Sequence, residues 1–89
     1  MEDMGQNHQG HDLHVVVSAP RDPEPREFTF PPEERVGQAA NYAAAQFGYA
    51  TSNFSFQAGD VVLNRDSTLA AAGVRNGEKL TLVDVGGGV

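Results

Sequence analysis

The chain has no cysteine and no tryptophan among its 89 residues. Without thiols there can be no disulfide, no thiolate metal site and no cysteine nucleophile. Lysine is almost missing as well: of the six basic residues only Lys79 is a lysine, the rest being arginine. Long apolar runs are absent, and nothing approaches the ~20 apolar residues of a membrane-spanning helix. The opening "MEDMGQNHQGHD" has neither a basic n-region nor an apolar h-region, so the expectation is no secretory signal and a cytoplasmic location. Positive charge is scarce: twelve acids against six bases leave a net charge of -6. That balance argues against non-specific nucleic-acid binding, which needs a basic footprint, and suits a soluble monomer.

What is present is enough for one small domain. A chain of this size buries only roughly 60% of its unfolded surface, so its few large apolar side chains must be well placed. Those are five phenylalanines, two tyrosines and the Val/Leu set. Residues 1–12 are polar and aperiodic, and read as a disordered N-terminal tail. Leu13 to Ser18 is β-branched and short, a strand with Leu13, Val15 and Val17 on its inner face. "SAPRDPEP" holds three prolines and reads as a loop too long for a tight two-residue turn. Arg26 to Phe30 alternates polar and aromatic residues and gives a second strand with Phe28 and Phe30 inward, antiparallel to the first.

Pro31 and Pro32 stop that strand. Val36, Ala39, Ala40, Ala43 and Phe47 then recur at helical spacing. Glu33 and Glu34 lie at the helix start, where the dipole favours acids, and Gly48 is placed to end the helix. The alanines bring the helix close to whatever it packs on. Phe54 to Gln57 is a third strand with Phe54 and Phe56 inward, and Val61 to Leu63 a short fourth. Ser67 or Thr68 would cap a brief helical turn "TLAAAGV". The last strand runs from Lys79 to Val85, with Leu80 and Leu82 on one face and Thr81, Val83 and Val85 on the other. The order β-β-α-β-β-β predicts an α+β class, with one long helix on one face of a mixed four- to five-stranded sheet. First and last strands lying side by side would run parallel. Residues 13–85 form the domain, and 86–89, Gly-Gly-Gly-Val, a flexible C-terminal tail.

From about Phe28 to Val85 the chain resembles ubiquitin and its β-grasp relatives without a gap. Phe28 and Phe30, then Val36, Ala39 and Ala43, match core positions of the second strand and helix. Gly48-Tyr49 follow the helix in register, while Phe56 and Leu63 match buried strand leucines. Leu69 and Val74 match the turn before the last strand, whose core leucines Leu80 and Leu82 also match. Within the family the chain resembles the bacterial ubiquitin-like proteins of the multi-ubiquitin domain group. The resemblance implies a protein modifier. An activating enzyme would adenylate the C-terminal carboxylate with ATP, an enzyme cysteine would take the acyl group, and an amine would receive it. Gly86, Gly87 and Gly88 would be the conjugation tail. Glycine suits a segment threaded extended through a narrow channel close to phosphates and nucleophile. Val89 departs from the family pattern and would have to be removed by a processing peptidase to expose Gly88. Val85, Gly87 and Ser55 stand where ubiquitin has arginines, which speaks against a eukaryotic-type activating enzyme. Lys79 is the single candidate acceptor lysine.

Other features admit two readings each. "GGGV" is either that tail or a frayed end. The family's apolar partner patch falls on Gln57, Thr81 and Val83; with Val16 and Val85 these residues form a candidate partner surface, or else scattered apolar surface. His8, His11 and His14 have the spacing of a metal clip, but a polar tail without second-shell support is the preferred reading, so no metal or cofactor is expected. Glu33 and Glu34 read as solvated helix partners, and nothing in the sequence makes an enzyme. Besides the modifier, two alternatives stay open: a non-covalent docking module and a sulfur carrier. The expected partners are proteins, with no nucleic acid and no membrane.

Overall fold

The computed structural model describes residues 12–49 and 53–85. It contains six elements: β1 (Leu13–Ala19), β2 (Asp22–Phe30), α1 (Val36–Gln46), β3 (Phe54–Ala58), β4 (Val61–Val62) and β5 (Glu78–Asp84). The strands form one five-stranded sheet in the order β2-β1-β5-β3-β4. β1 and β5 run parallel at its centre, and the remaining pairs are antiparallel. The α1 helix packs on one face, which gives the expected α+β architecture of two layers and one core.

Alternation builds that core. Val15 and Val17 from β1, Phe30 from β2, Phe54 and Phe56 from β3, and Leu80 and Leu82 from β5 all point at the helix and are buried. Opposite them lie Val36, Ala39, Ala40, Ala43 and Ala44 of α1, each 0% exposed. Short helix side chains let α1 sit close to the sheet, and larger groups fill the ends: Leu63, Leu69 and Val74 from the segments between β4 and β5. Full burial of a leucine or phenylalanine stabilises by ~1.5–3 kcal/mol relative to exposure, so Phe56, Leu69, Leu80 and Leu82 carry much of the stability.

The helix ends as expected. Gly48 has φ 88°, a left-handed conformation that costs glycine nothing. There the Tyr49 N–H bonds the Ala44 carbonyl and the Gly48 N–H bonds the Ala45 carbonyl, at 2.9 and 3.0 Å. The same paired closure recurs at Val74→Leu69 and Gly73→Ala70, both 3.0 Å, with Gly73 at φ 87°. This second instance closes "TLAAAGV", a hydrogen-bonded turn rather than a helix, with Thr68 Oγ1 accepting from the Ala71 N–H.

Four details differ from the sequence reading. First, the stretch expected to be a long loop is mostly strand: β2 begins at Asp22, and only Pro20 and Arg21 turn the chain. The prolines pointed to a loop, but β2 is an edge strand, where proline is tolerated. The ladder also shifts register between Val17 and Ala19, opposite the segment that holds Pro23 and Pro25. Second, Glu33 and Glu34 precede the helix, and α1 has no acid in its first turn and no side-chain cap. Its first N–H groups are capped by main chain: Val36 donates to the Ser67 carbonyl at 2.8 Å and Gly37 to that of Arg65 at 3.0 Å. Third, β4 is two residues long, with Leu63 just beyond it. Fourth, the last strand spans Glu78–Asp84, one residue earlier than expected. The tail readings for residues 1–11 and 86–89 fall outside the described residues.

Candidate interaction surface

The sheet face away from α1 is defined by strand pairing, because directly opposed residues project to the same side. Across it run Val16 beside Lys79, Ser18 beside Thr81, Thr81 beside Gln57, and Val83 beside Ser55. The sequence-derived set Val16, Gln57, Thr81 and Val83 therefore does share one face. Val85 lies just past the end of β5, 44% exposed, with its N–H bonded to the Asn53 carbonyl at 2.9 Å.

Sequence reasoning missed one member. Val62 of β4 pairs with Gln57 and is 48% exposed, next to Val61 at 60%. Their strand was legible, but which side of it stays open depends on β4 being the last strand of the sheet. The surface is not one continuous apolar patch. A polar row, Gln57, Thr81 and Ser18, crosses its middle, with Val62 at one end and Val83 and Val85 nearer the C-terminal end of β5. Lys79, the single lysine, is exposed on this same face.

Ser55 behaves differently from the arginine it replaces in the resemblance. It is 0% exposed, and its Oγ donates to the Leu63 carbonyl at 2.7 Å. A long charged side chain there would have to displace the chain at Leu63 and lose this hydrogen bond. The absence of that arginine is thus built into how β3 meets the segment after β4.

The histidine spacing leaves only His14 in view, since His8 and His11 lie outside the described residues. His14 sits within β1, its Nδ1 3.2 Å from Thr29 Oγ1 and its N–H bonded to Asn76 Oδ1 at 2.8 Å. Among the described residues no group of three His, Cys, Asp or Glu side chains could hold a metal ion. Among them, too, no helix is long and apolar enough to cross a membrane. The candidate conjugation tail, Gly86, Gly87, Gly88 and Val89, lies outside the described residues. What the structure does place is the strand that leads to it: β5 lies between β1 and β3, held by Leu80 at 2% and Leu82 at 0% exposure.

No protein-family model matches the sequence, and no curated protein matches it significantly. Solved structures do match by shape. A ubiquitin from Caldiarchaeum subterraneum superposes with a TM-score of 0.71 at 19% identity, covering 88% of this chain and 99% of that one. The ubiquitin-like domain of an Arabidopsis thaliana protein gives 0.71 at 11% identity over 97% and 90% of the two chains. A chain of the toluene 4-monooxygenase HD complex with 4-bromobenzoate gives 0.72 at 15% identity over 82% and 98%. At such identities the likeness speaks for the fold alone, and together with the sheet order, the single helix and the central parallel pair it establishes that this chain has the ubiquitin-like β-grasp fold.

Proposed function

We propose that the chain is a cytosolic ubiquitin-like protein modifier of the bacterial multi-ubiquitin domain group, activated and conjugated through Gly88 once a peptidase has removed Val89. The observation that carries this reading is the join between fold and sequence. A strand in the interior of the sheet, anchored by Leu80 and Leu82, ends at Asp84, and three glycines follow Val85 directly. The Gly88 carboxylate would attack the α-phosphate of ATP and release pyrophosphate. An enzyme thiolate would displace AMP from the acyl-adenylate. An acceptor amine would then displace the thiolate, lose a proton and form the amide. The chain supplies the electrophile, and the catalytic groups belong to its enzymes.

The test is intact mass spectrometry after incubation with ATP, the cognate activating enzyme and the processing peptidase. The expected result is loss of Val89 followed by a Gly88 thioester or amide adduct, neither adduct forming with ATP omitted. Retention of Val89 with no adduct would overturn the proposal.

A second reading is a non-covalent docking module. The exposed valines Val61, Val62 and Val85 favour it, as does the likeness to a chain of the toluene 4-monooxygenase HD complex. Under that reading, deleting residues 86–89 leaves function unchanged. A sulfur carrier would need the same free glycine, and would yield a C-terminal thiocarboxylate in place of an amide.

A further inference from the structure

On the side of the molecule where β2 ends and α1 begins, Thr29, Phe30, Pro31, Glu34 and Tyr42 line an open pocket. Two of the five are aromatic, and of these Tyr42 is the exposed ring. The Phe30 and Tyr42 rings meet edge to face, 6.1 Å apart at 86°. Phe28 stacks on Phe30 at 5.8 Å and 8°, and also meets Tyr42 at 80°. Phe30 is held in the core at 4% exposure, whereas Tyr42 stands out at 54%. Glu34 is half-buried in the same wall. Its backbone is fixed on both sides, the N–H donating to the Pro31 carbonyl at 3.0 Å and the carbonyl accepting from the Leu69 N–H at 2.8 Å.

We propose that this pocket receives a cationic side chain, arginine or lysine, from a basic segment of a partner protein. Three features favour that occupant. Aromatic faces attract cations through the ring quadrupole, and a neighbouring carboxylate supplies the countercharge. The lining includes no base: the adjacent Arg35 sends Nη1 to the Asp66 carbonyl instead. Glu33 adds a second negative charge beside Glu34, in a molecule of net charge -6 that would draw basic partners. A purely apolar occupant would strip water from the Glu34 carboxylate without replacing its contacts, and an acidic one would be repelled. The pocket includes none of Val16, Gln57, Thr81, Val83 or Val85.

The test is an amide NMR titration of the full chain with the blocked peptide Ac-Gly-Val-Arg-Val-Arg-Gly-NH2, its citrulline analogue and its glutamate analogue. Saturable shifts are expected at Thr29, Phe30, Glu34 and Tyr42, with the citrulline peptide bound about two- to fivefold more weakly, the scale of an exposed cation–ring or ion-pair contact. The Glu34→Gln variant should lose about the same factor for the arginine peptide and little for the citrulline peptide. Tyr42→Leu, which keeps an apolar side chain at this half-exposed site, should weaken the arginine peptide as well. The inference is overturned if no saturable shift appears at these residues, if shifts map to Gln57 and Val83 instead, or if citrulline and Glu34→Gln make no difference.

Discussion

Gly37 shows how closely the start of α1 is fitted. A Cβ placed there would lie 2.7 Å from Arg65 Cζ and 2.8 Å from Nη2. That guanidinium is not free to swing, because Arg65 Nε donates to the Phe54 carbonyl at 2.7 Å. Two effects oppose each other in Gly37→Ala: alanine is favoured in a helix by about 0.5–1 kcal/mol, while displacing Arg65 breaks a bond worth ~0.5–1.5 kcal/mol net. The substitution should therefore be nearly neutral alone, yet stabilising by about 0.5–1 kcal/mol in an Arg65→Ala background, where only the helix gain remains. Urea denaturation of the two single variants and the double variant measures that coupling, and additive values would show that the contact does not constrain Arg65. None of this was legible in the sequence. Gly37 reads there as a mild flaw in a helix, and its reason is a residue 28 positions away. Glu34 and Tyr42 were hidden in the same way: read singly, one is a helix-start acid and the other an unremarkable helix residue, and only the packed helix brings them to one pocket.

At the scale of elements, the strands and the helix were readable because each carries a period. Phe54 and Phe56 alternate, Val36 to Ala43 repeat at helical spacing, and glycine marks the helix end. The prolines misled, because Pro23 and Pro25 forbid a central strand but not an edge strand, and edge or centre is a property of the whole sheet. The helix N-terminus was misread for a related reason. Glu33 and Glu34 read as dipole partners at the helix start, whereas they precede it and the segment 65–70 supplies main-chain partners for its first N–H groups. Val36 and Gly37 donate into that segment, and Leu69 and Ala70 donate back to the Glu34 and Pro32 carbonyls. Leu69, at 0% exposure, pins the segment to the core. Leu69→Ala should cost ~2–5 kcal/mol, as large-to-small core changes do. It should also raise hydrogen exchange at the Val36 and Gly37 amides more than at Leu80 or Leu82, since the cap is released locally before the sheet opens. Equal acceleration at all four amides would show that the cap is not a separate unit.

For the molecule as a whole, charge is the property with the most direct consequence. Twelve acidic residues face six basic ones, and the few cations are partly committed inside the fold. Arg65 bonds the Phe54 carbonyl and Arg35 that of Asp66, while Arg21 and Arg26 lie 5.0 and 5.2 Å over the rings of Tyr49 and Phe47. Such contacts use arginine for packing and backbone satisfaction, and leave the surplus negative charge to repel itself across a small surface. The unfolded chain spreads the same charges further apart, so repulsion weighs more on the folded state. Salt screens this: the Debye length falls from ~30 Å at 0.01 M to ~8 Å at 0.15 M. Raising sodium chloride over that range should therefore increase the melting temperature by about 1–4 °C, a few tenths of a kcal/mol on a domain of this size. Replacing acids by their amides at exposed sites such as Glu27 and Asp60 should shrink that dependence, whereas a fall in melting temperature with salt would mean that attractive pairs outweigh the net charge. The same screening should weaken the arginine peptide at the Glu34 pocket, so that salt stabilises the fold while loosening its cationic partner.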